Sequence, residues 1–145
     1  MRRSLEQSGS SGGRAIAFVP QFARYAYEAY VMPKLHRRSL LDLTAEDVRD
    51  LAVTLQTVLV KYDNLFRLLF PYLLAIHQAP TDGGGHDEFH LYIELQAPLR
   101  QPGLLKFLAG PELGSGNFLS DTSPEAKAAE LRSAGSVYYR RAKND

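Results

Sequence analysis

Three side chains that can bind a metal ion or carry a proton alternate along one short stretch of the chain. His90, Tyr92 and Glu94 are each separated by one apolar residue within the stretch Glu88–Leu95. Successive side chains of a β-strand point to opposite faces, so this spacing predicts a strand that carries all three on one face. The other face is apolar and consists of Phe89, Leu91, Ile93 and Leu95.

A fourth such side chain, His77, lies in an apolar stretch that precedes the first one. That stretch is Tyr72–Pro80, and the glycine-rich segment Thr81–Asp87 separates the two. Glycine and aspartate at this density are typical of a turn, so the two stretches are predicted to pair as a β-hairpin. In that hairpin His77 lies across from His90 or Tyr92.

Imidazole and carboxylate groups together suit zinc or iron, so His77, His90 and Glu94 are candidate metal ligands. The competing interpretation is the solvated outer face of a sheet, where alternating polar residues are ordinary. Spacing alone leaves both interpretations open.

Two strands are predicted ahead of the hairpin. The apolar residues within Arg14–Phe22 predict a buried strand, and the alternation over Tyr25–Met32 predicts a second strand that Pro33 stops. Their short connection favours antiparallel pairing.

One long helix is predicted between these strands and the hairpin. Thr44 is a typical N-cap residue, and apolar residues at helical spacing predict a helix over Ala45–Lys61. The pair Asp63-Asn64 is expected to end this helix. Leu65–Phe70 is predicted to be a loop or a short strand.

The part of the chain after the hairpin is predicted to contain one short helix. Pro102–Gly116 is punctuated by glycine and is predicted to be more loop than regular structure. Ser123 followed by Pro124 predicts a helix start, Ala126–Ser133 has high helix propensity, and Gly135 is the predicted stop. This order of elements predicts an α+β domain, an antiparallel sheet with one long and one short helix packed on it.

Composition excludes several classes of protein. With 145 residues, of which 45% are hydrophobic, the chain suits one domain with a buried core. A net charge of +1 gives no electrostatic case for binding nucleic acid or an anionic membrane. Without cysteine, disulfides and thiolate metal sites are impossible. No apolar run approaches the roughly 20 residues that cross a bilayer.

The two ends are predicted to lie outside the folded domain, which spans residues 14–139. Residues 1–13 are polar, rich in serine and glycine, and lack the apolar core of a signal peptide, so we expect a flexible lead-in. Residues 140–145 form a polar tail. The cytoplasm is then the default expectation for location.

Two further segments are candidates for anion binding. Gly83–Gly85 can offer backbone N–H groups to a phosphate, but no helix follows it, which favours a flexible hairpin tip. A loop after Pro33 can hold an anion or be simply solvated, and its basic residues are Lys34, His36, Arg37 and Arg38. The sequence contains neither a P-loop nor a nucleophile elbow.

Several separated segments together resemble the C-terminal half of galactose-1-phosphate uridylyltransferase, of the histidine-triad superfamily. They occur in the family's order and extend from about Ala15 to Tyr139. The segments are Val19–Glu28, Pro33–His36, Leu41–Thr44, Lys61–Phe66, Phe70–Tyr72, His77–Pro80, Lys106–Glu112, Asp121–Glu125 and Ala129–Arg132. Tyr62–Phe66 followed by His77–Pro80 is the most specific part.

The resemblance implies transfer of a uridylyl group between UDP-glucose and galactose 1-phosphate. In the family a histidine attacks the α-phosphorus, and a covalent uridylyl-histidine results, which divides one hard transfer into two easier ones. That nucleophile belongs to a His-Pro-His motif of the N-terminal half, which also carries a zinc site. This sequence contains no His-Pro-His. The chain is therefore expected to be a separate C-terminal half, from a split or truncated enzyme, with no catalytic residue of its own and no activity alone.

The resemblance also implies two binding sites. The family's second half holds a metal with a histidine matching His77, two histidines at the positions of Tyr92 and Glu94, and a glutamate of the other half. Substrate contacts across a dimer interface fall on a segment in which Pro111 replaces an aromatic residue. The implied substrate-binding residues are Lys106, Phe107, Glu112 and Asn117.

Two alternatives to a split enzyme remain. The substitutions at Tyr92 and Pro111 are compatible with a non-catalytic module that binds a nucleotide sugar. A half that only dimerises is the other alternative, for which the aromatic residues Tyr25, Tyr27 and Tyr30 provide a surface.

Overall fold

A four-stranded antiparallel sheet forms the centre of the protein, whose computed structural model describes residues 13–120 and 122–141. In spatial order the strands are β1, β2, β4 and β3. The predicted hairpin is confirmed: β3 and β4 are neighbours, and His77 lies opposite Tyr92. The strands are β1 (Ala15–Phe18), β2 (Ala29–Pro33), β3 (Leu73–His77) and β4 (Tyr92–Gln96).

Three α-helices accompany the sheet, and together they confirm the predicted α+β class. They are α1 (Ala45–Phe66), α2 (Gly110–Ser115) and α3 (Pro124–Ser133), and a 3-10 turn spans Leu40–Asp42. The start of α3 is as predicted, with Ser123 Oγ accepting a hydrogen bond from Ala126 N at 3.1 Å. The helix ends at Ser133, just before the predicted stop at Gly135.

The prediction that Pro102–Gly116 is mostly loop is wrong. It contributes to a small hairpin of β5 (Leu99–Gln101) and β6 (Leu104–Leu105), and it contains α2. Gly103 has a φ of 75°, which the tight turn between β5 and β6 requires. The glycines therefore mark turns between short elements and not a continuous loop.

The predicted end of α1 is also wrong, because the helix continues five residues beyond Lys61 and closes at Arg67 in the left-handed conformation. Asp63 and Asn64 were expected to end the helix. Side chains of this type can hydrogen-bond to nearby backbone groups and so compete with helical hydrogen bonds. Instead Asp63 Oδ1 accepts a hydrogen bond from Phe70 N at 2.9 Å. A tertiary partner for the side chain removes that competition.

Two predicted strands begin later than expected. Residues 25–28 form a turn, in which Glu28 N donates to Tyr25 O at 3.1 Å, so β2 starts at Ala29 and not at Tyr25. Residues 88–91 are also irregular. There Leu91 N donates to Arg37 O at 2.7 Å instead of joining the sheet.

The core lies between α1 and one face of the sheet. Ala15, Ala17 and Ala29 are at most 2% exposed on this face, and small side chains there let the helix approach closely. Larger apolar residues complete the core and include Val31, Leu51, Val58, Tyr62, Ile93 and Leu95. On α3, Ala128 and Leu131 join the same core beside α1.

Across residues 13–120 and 122–141, the structure contains no helix with the length and apolar character needed to cross a membrane. The predicted lead-in lies outside the described residues except for Gly13, and so do residues 142–145 of the predicted tail. The domain limits 14–139 stay a prediction.

The first turn of α1 is fixed by the buried carboxylate of Asp47. Thr44 Oγ1 accepts a hydrogen bond from Asp47 N at 3.1 Å, and Asp47 Oδ2 accepts one from Thr44 N at 3.1 Å. The same carboxylate lies 2.7 Å from Arg37 NH2 and 3.4 Å from Arg14 NH1. The hydrogen bond from Thr44 N, then those from the Arg37 and Thr44 side chains, outweigh burial and lower the pKa of Asp47 to about 2.

We expect Asp47 to make stability depend on pH in the acid range. Its folded pKa of about 2 lies below the ordinary value of 3.8, so its contribution is fully present above that value and is lost as pH falls toward 2. Asp47→Asn should lower Tm at pH 7. It should also flatten the dependence of Tm on pH between about pH 2 and pH 3.8. Thermal unfolding by circular dichroism measures both. Glu125→Gln, in the exposed first turn of α3, is the control and should change the profile much less, because its carboxylate is exposed to solvent.

The C-terminal end of α3 is held by two side chains of α1. Lys61 is 5% exposed, and its Nζ donates to the carbonyl oxygens of Leu131 at 3.2 Å, Arg132 at 3.2 Å and Ala134 at 2.6 Å. Burial lowers the pKa of Lys61. In addition, Asn64 Nδ2 donates to Gly135 O at 2.6 Å and to Val137 O at 2.8 Å.

Lys61→Met should therefore weaken the attachment of α3 without disturbing the sheet. The loss of charged hydrogen bonds to helix-end carbonyls costs about 2 kcal/mol, or a fall in Tm of roughly 5–10 °C. Hydrogen exchange should show faster exchange in α3 and unchanged exchange in β2 and β4. Gln56→Ala on the exposed face of α1 is the control. Equal loss of protection in the sheet would contradict this account.

Candidate functional site

A row of four aromatic rings crosses the sheet on the face opposite α1. Phe18 on β1 lies 5.9 Å from Tyr30 on β2, Tyr30 lies 5.0 Å from Tyr92 on β4, and Tyr92 lies 4.5 Å from His77 on β3, all between ring centroids. The last two contacts are stacked, with interplanar angles of 17° and 12°. We call this surface the aromatic face. It brings His77 and Tyr92 together as the hairpin predicts.

Glu94 lies beside this row and is 4% exposed. His77 Nε2 lies 2.8 Å from Glu94 Oε2, and Gln96 Nε2 donates to Glu94 Oε1 at 2.9 Å. Arg24 NH2 donates to the same Oε1 and forms an ion pair with the carboxylate. Because an ionised carboxylate only accepts hydrogen bonds, the His77 hydrogen lies on Nε2.

The carboxylates and phenols of this cluster influence one another. Burial alone would raise the pKa of Glu94, but the hydrogen bond from Gln96, the charge of Arg24 and the hydrogen bond to His77 outweigh burial and lower that pKa. Burial, followed by the charges of Glu94 and Glu28, raises the pKa of Tyr30 to about 12. At neutral pH the cluster therefore holds an ionised Glu94 beside neutral phenols.

A second carboxylate, Glu28, is 0% exposed just before β2. Its Oε2 accepts hydrogen bonds from Arg24 N at 2.8 Å and Tyr25 N at 3.2 Å, and it lies 3.9 Å from Arg24 Nε. Burial raises the pKa of Glu28. The Arg24 side chain therefore lies between two buried carboxylates.

The third predicted metal ligand, His90, is not brought to this cluster. It precedes β4, its Nε2 donates to Pro33 O at 2.9 Å, and its ring contacts His36 at 5.6 Å between centroids. Within the described parts of the chain, no three His, Cys, Asp or Glu side chains come together in a way that suits a metal ion. His77 and Glu94 meet, and the set as a whole does not fit a metal.

The predicted substrate-binding residues lie on and beside α2, within residues 106–119, which we call the α2 loop, and two of them hold this loop in place. Lys106 Nζ donates to Arg24 O at 2.6 Å and to Leu119 O at 2.7 Å, and it lies 3.8 Å from Glu112 Oε1. Glu112 accepts hydrogen bonds from Ala109 N at 3.1 Å and Leu119 N at 3.2 Å. These N–H groups, with the charge of Lys106, outweigh burial and lower the pKa of Glu112.

The other two predicted residues are exposed. The side chain of Phe107 is 80% exposed next to Lys106. Asn117, also exposed, follows α2, where its Nδ2 donates to Ser115 Oγ at 3.1 Å. The α2 loop thus exposes the Phe107 ring and the Asn117 amide to solvent, while Lys106 and Glu112 hold its backbone in place.

Lys106 also joins this loop to the aromatic face, because its hydrogen bond to Arg24 O fixes the backbone from which the Arg24 side chain reaches Glu94. The Arg24 guanidinium lies 5.3 Å from the Phe118 ring centroid, and Lys106 Nζ lies 5.6 Å from the same centroid. The two candidate sites are therefore continuous.

Beside the aromatic row lies a pocket of about 530 Å³. Tyr30 and Tyr92 form part of its wall, and Phe22, which is 71% exposed, lies at its edge. The remaining wall residues are Phe18, Val19, Pro20, Gln21 and Met32. A pocket of this size with aromatic walls suits a flat organic ring.

In the basic loop after Pro33 and in the turn around Gly83–Gly85, polar groups already have partners within the protein. Arg37 pairs with Asp47, and Arg38 pairs with Asp87 at 2.8 Å. In the turn, Gly84 N donates to Asp82 Oδ1 at 2.9 Å, so that N–H serves the turn itself. These contacts favour the structural interpretations of both segments over anion binding.

Sequence reasoning missed Arg24, Glu28 and Gln96 as members of the site. Gln96 has a signal in the sequence, since it continues the alternation of Tyr92 and Glu94 along the strand. Arg24 is 70 positions from Glu94 and carries no such signal. Only the pairing of β2 with β4 brings the two side chains together.

Comparison with known proteins agrees with this geometry. The family model described as galactose-1-phosphate uridyl transferase, C-terminal domain, matches residues 12–143. Galactose-1-phosphate uridylyltransferase of Thermotoga maritima is 36% identical over 118 residues, which is 81% of this chain and 37% of that protein. The enzyme of Haemophilus influenzae is 36% identical over 126 residues, which is 86% of this chain and 36% of that protein.

Solved structures show the same fold. A uridylyltransferase structure superposes with a TM-score of 0.80 at 36% identity, covering 91% of this chain and 40% of that chain. A histidine triad nucleotide-binding protein of Sulfolobus tokodaii gives 0.63 at 12% identity, covering 92% of this chain and 83% of that chain, and shares the fold alone.

The chain spans just over a third of the length of the first two curated relatives. The matched residues include every element of the sheet, the aromatic face and the α2 loop. The resemblance seen in the sequence is thus confirmed, and the chain belongs to the galactose-1-phosphate uridylyltransferase family, in which it corresponds to the C-terminal domain.

Proposed function

We propose that this chain forms the substrate-binding C-terminal half of a UDP-glucose–hexose-1-phosphate uridylyltransferase. The observation that carries the proposal is the braced α2 loop, which presents Phe107 on a base of Lys106 and Glu112 in a chain of this family. The nucleophile comes from an N-terminal half that contains His-Pro-His, because this sequence has no such motif.

The proposed reaction has two balanced steps. A histidine of the N-terminal half attacks the α-phosphorus of UDP-glucose, forms a bond to it and releases glucose 1-phosphate. A phosphate oxygen of galactose 1-phosphate then attacks the same phosphorus, which breaks the bond to histidine and gives UDP-galactose. This chain lowers the barrier by holding the sugar phosphate in line with the nucleophile.

Within this chain, the exposed residues of the loop are proposed to touch substrate. Phe107 packs against the sugar nucleotide, and Asn117 offers amide hydrogen bonds to it. Lys106 acts mainly as a positioning residue, because two backbone carbonyls already accept hydrogen bonds from its Nζ. Glu112 holds the first turn of α2 in the same way.

The proposal predicts complementation. The purified chain alone should give no UDP-galactose from UDP-glucose and galactose 1-phosphate, and adding the half that carries His-Pro-His should restore the transfer. Product formation is measured by chromatography of the uridine nucleotides. If a correctly associated pair of halves remains inactive, the proposal fails.

Phe107→Ala should lower kcat/KM of the reconstituted enzyme by about 10-fold to 100-fold, because a positioning contact to substrate is lost. Tm of the chain should not change, since the ring is 80% exposed. Leu113→Ala is the matched control, because Leu113 lies on α2 and is 74% exposed. Equal effects of the two substitutions would point to a general surface effect and contradict a substrate contact.

A non-catalytic module that binds a nucleotide sugar is the second candidate function. The pocket beside Tyr30 and Tyr92 favours it, because its aromatic walls lie entirely within this chain. Calorimetry of the isolated chain with UDP-glucose distinguishes the candidates. Weak binding that becomes tight only with the N-terminal half supports the split enzyme, and tight binding by the chain alone supports the module.

A further inference from the structure

The ion pair of Arg24 with Glu94 leads to an inference that goes beyond the proposed transfer and does not depend on it. Glu94 is 4% exposed, and a carboxylate buried to this extent needs a positive charge close by. In a metal site that charge is the metal ion. Here the charge beside Glu94 is the guanidinium of Arg24.

Both oxygens of Glu94 already have partners. Oε1 accepts from Arg24 NH2 and from Gln96 Nε2 at 2.9 Å, and Oε2 accepts from His77 Nε2 at 2.8 Å. These hydrogen bonds use three of the roughly four lone-pair sites of the carboxylate, and a metal ion held jointly by Glu94 and His77 Nε2 would have to displace the hydrogen bond between them. Displacement of Arg24 would also place two cations side by side.

The distance between His77 and Glu94 is that of a direct hydrogen bond. Two ligands bound to one tetrahedral zinc at 2.0–2.1 Å lie about 3.4 Å apart. The observed separation of Nε2 from Oε2 is 2.8 Å, and the hydrogen between them occupies the lone-pair direction that a metal would need. Stacking on Tyr92 at 4.5 Å fixes the imidazole ring in this orientation.

The side chain of Arg24 is held in place from several directions. Glu28, which is fully buried, lies 3.9 Å from Arg24 Nε. Lys106 Nζ donates to Arg24 O, and the Phe118 ring lies 5.3 Å from the guanidinium. Arginine suits this role because its charge persists at every physiological pH.

We propose that Arg24 takes the place of a metal ion in this chain. Its guanidinium neutralises Glu94 and keeps His77 hydrogen-bonded to that carboxylate, so the aromatic face is ordered without zinc or iron. Tyr92 contributes a stacked ring where a metal site would use a third ligand. Around His77 and Glu94, two of the three candidate metal ligands, the structure thereby has a closed network of hydrogen bonds and an ion pair.

Metal content and thermal stability of the purified full chain test this directly. Elemental analysis should find far less than one equivalent of zinc or iron, and neither EDTA nor added zinc should move Tm. A stoichiometric metal that is lost in Glu94→Gln would overturn the proposal. The metal content and Tm of the unsubstituted chain do not depend on whether any variant folds. They are also independent of uridylyl transfer.

Variants test the exclusion of metal by Arg24. Tyr92→His adds a third ligand next to His77 and Glu94, and with Arg24 present zinc should bind weakly. The double variant that combines Tyr92→His with Arg24→Ala should bind zinc at least about tenfold more tightly than Tyr92→His alone. Zinc should then raise Tm of the double variant.

The matched control combines Tyr92→His with Arg49→Ala, which removes the same charge from an exposed position on α1. Zinc binding by this control should equal that of Tyr92→His alone. If Tyr92→His alone, or the control, binds zinc as tightly as the variant lacking Arg24, Arg24 does not exclude metal and the proposal is wrong.

Discussion

The close approach of α1 to a strip of alanines is the contact on which the rest of the structure depends. Ala15, Ala17 and Ala29 leave room on β1 and β2 for the larger side chains of the helix, among them Leu51 and Val58. Each fully buried leucine or valine contributes about 1.5–3 kcal/mol. A larger residue in place of one of these alanines would push the helix from the sheet, and α3, which packs on α1, would move with it.

Because α1 covers one face of the sheet, polar and aromatic groups concentrate on the other. The tyrosines of β2 and β4 form a stacked row there, and two buried carboxylates lie at its border, where Arg24 lies between Glu28 and Glu94. An isolated buried carboxylate is costly, so this arrangement ties the conformation of the turn before β2 to the sheet. The same turn accepts a hydrogen bond from Lys106, which connects the α2 loop to the network.

The segment Lys61–Asn64 shows how a family motif can be structural. Lys61 and Asn64 bind carbonyl groups at and beyond the end of α3, and Tyr62 packs in the core. Asp63 holds Phe70 in the connection to β3. This part of the resemblance therefore positions the elements that bear the candidate site, while the candidate site residues themselves lie on the aromatic face and the α2 loop.

Alternation and helix periodicity were sufficient to predict the central hairpin, α1, α3 and the α+β class, because these signals are local. They also predicted that His77 lies across from His90 or Tyr92, and the register of the hairpin selects Tyr92. They did not determine the ends of β2, β4 and α1, where other hydrogen bonds override the periodic pattern. A turn of nearby residues delays β2, the Asp63 side chain bonds to Phe70 N beyond the end of α1, and Leu91 N bonds to the distant Arg37 O before β4.

For the candidate site, the sequence by itself determined that Tyr92 and Glu94 share one face of a strand, and it named His77 and Glu94, with His90, as candidate ligands of one site. Tertiary structure alone decided that Arg24 reaches Glu94 and that His90 turns to Pro33 O. The physical reason is that a buried charge selects its partner by distance in space, after the sheet has formed. Sequence spacing contains no information about a partner 70 positions away.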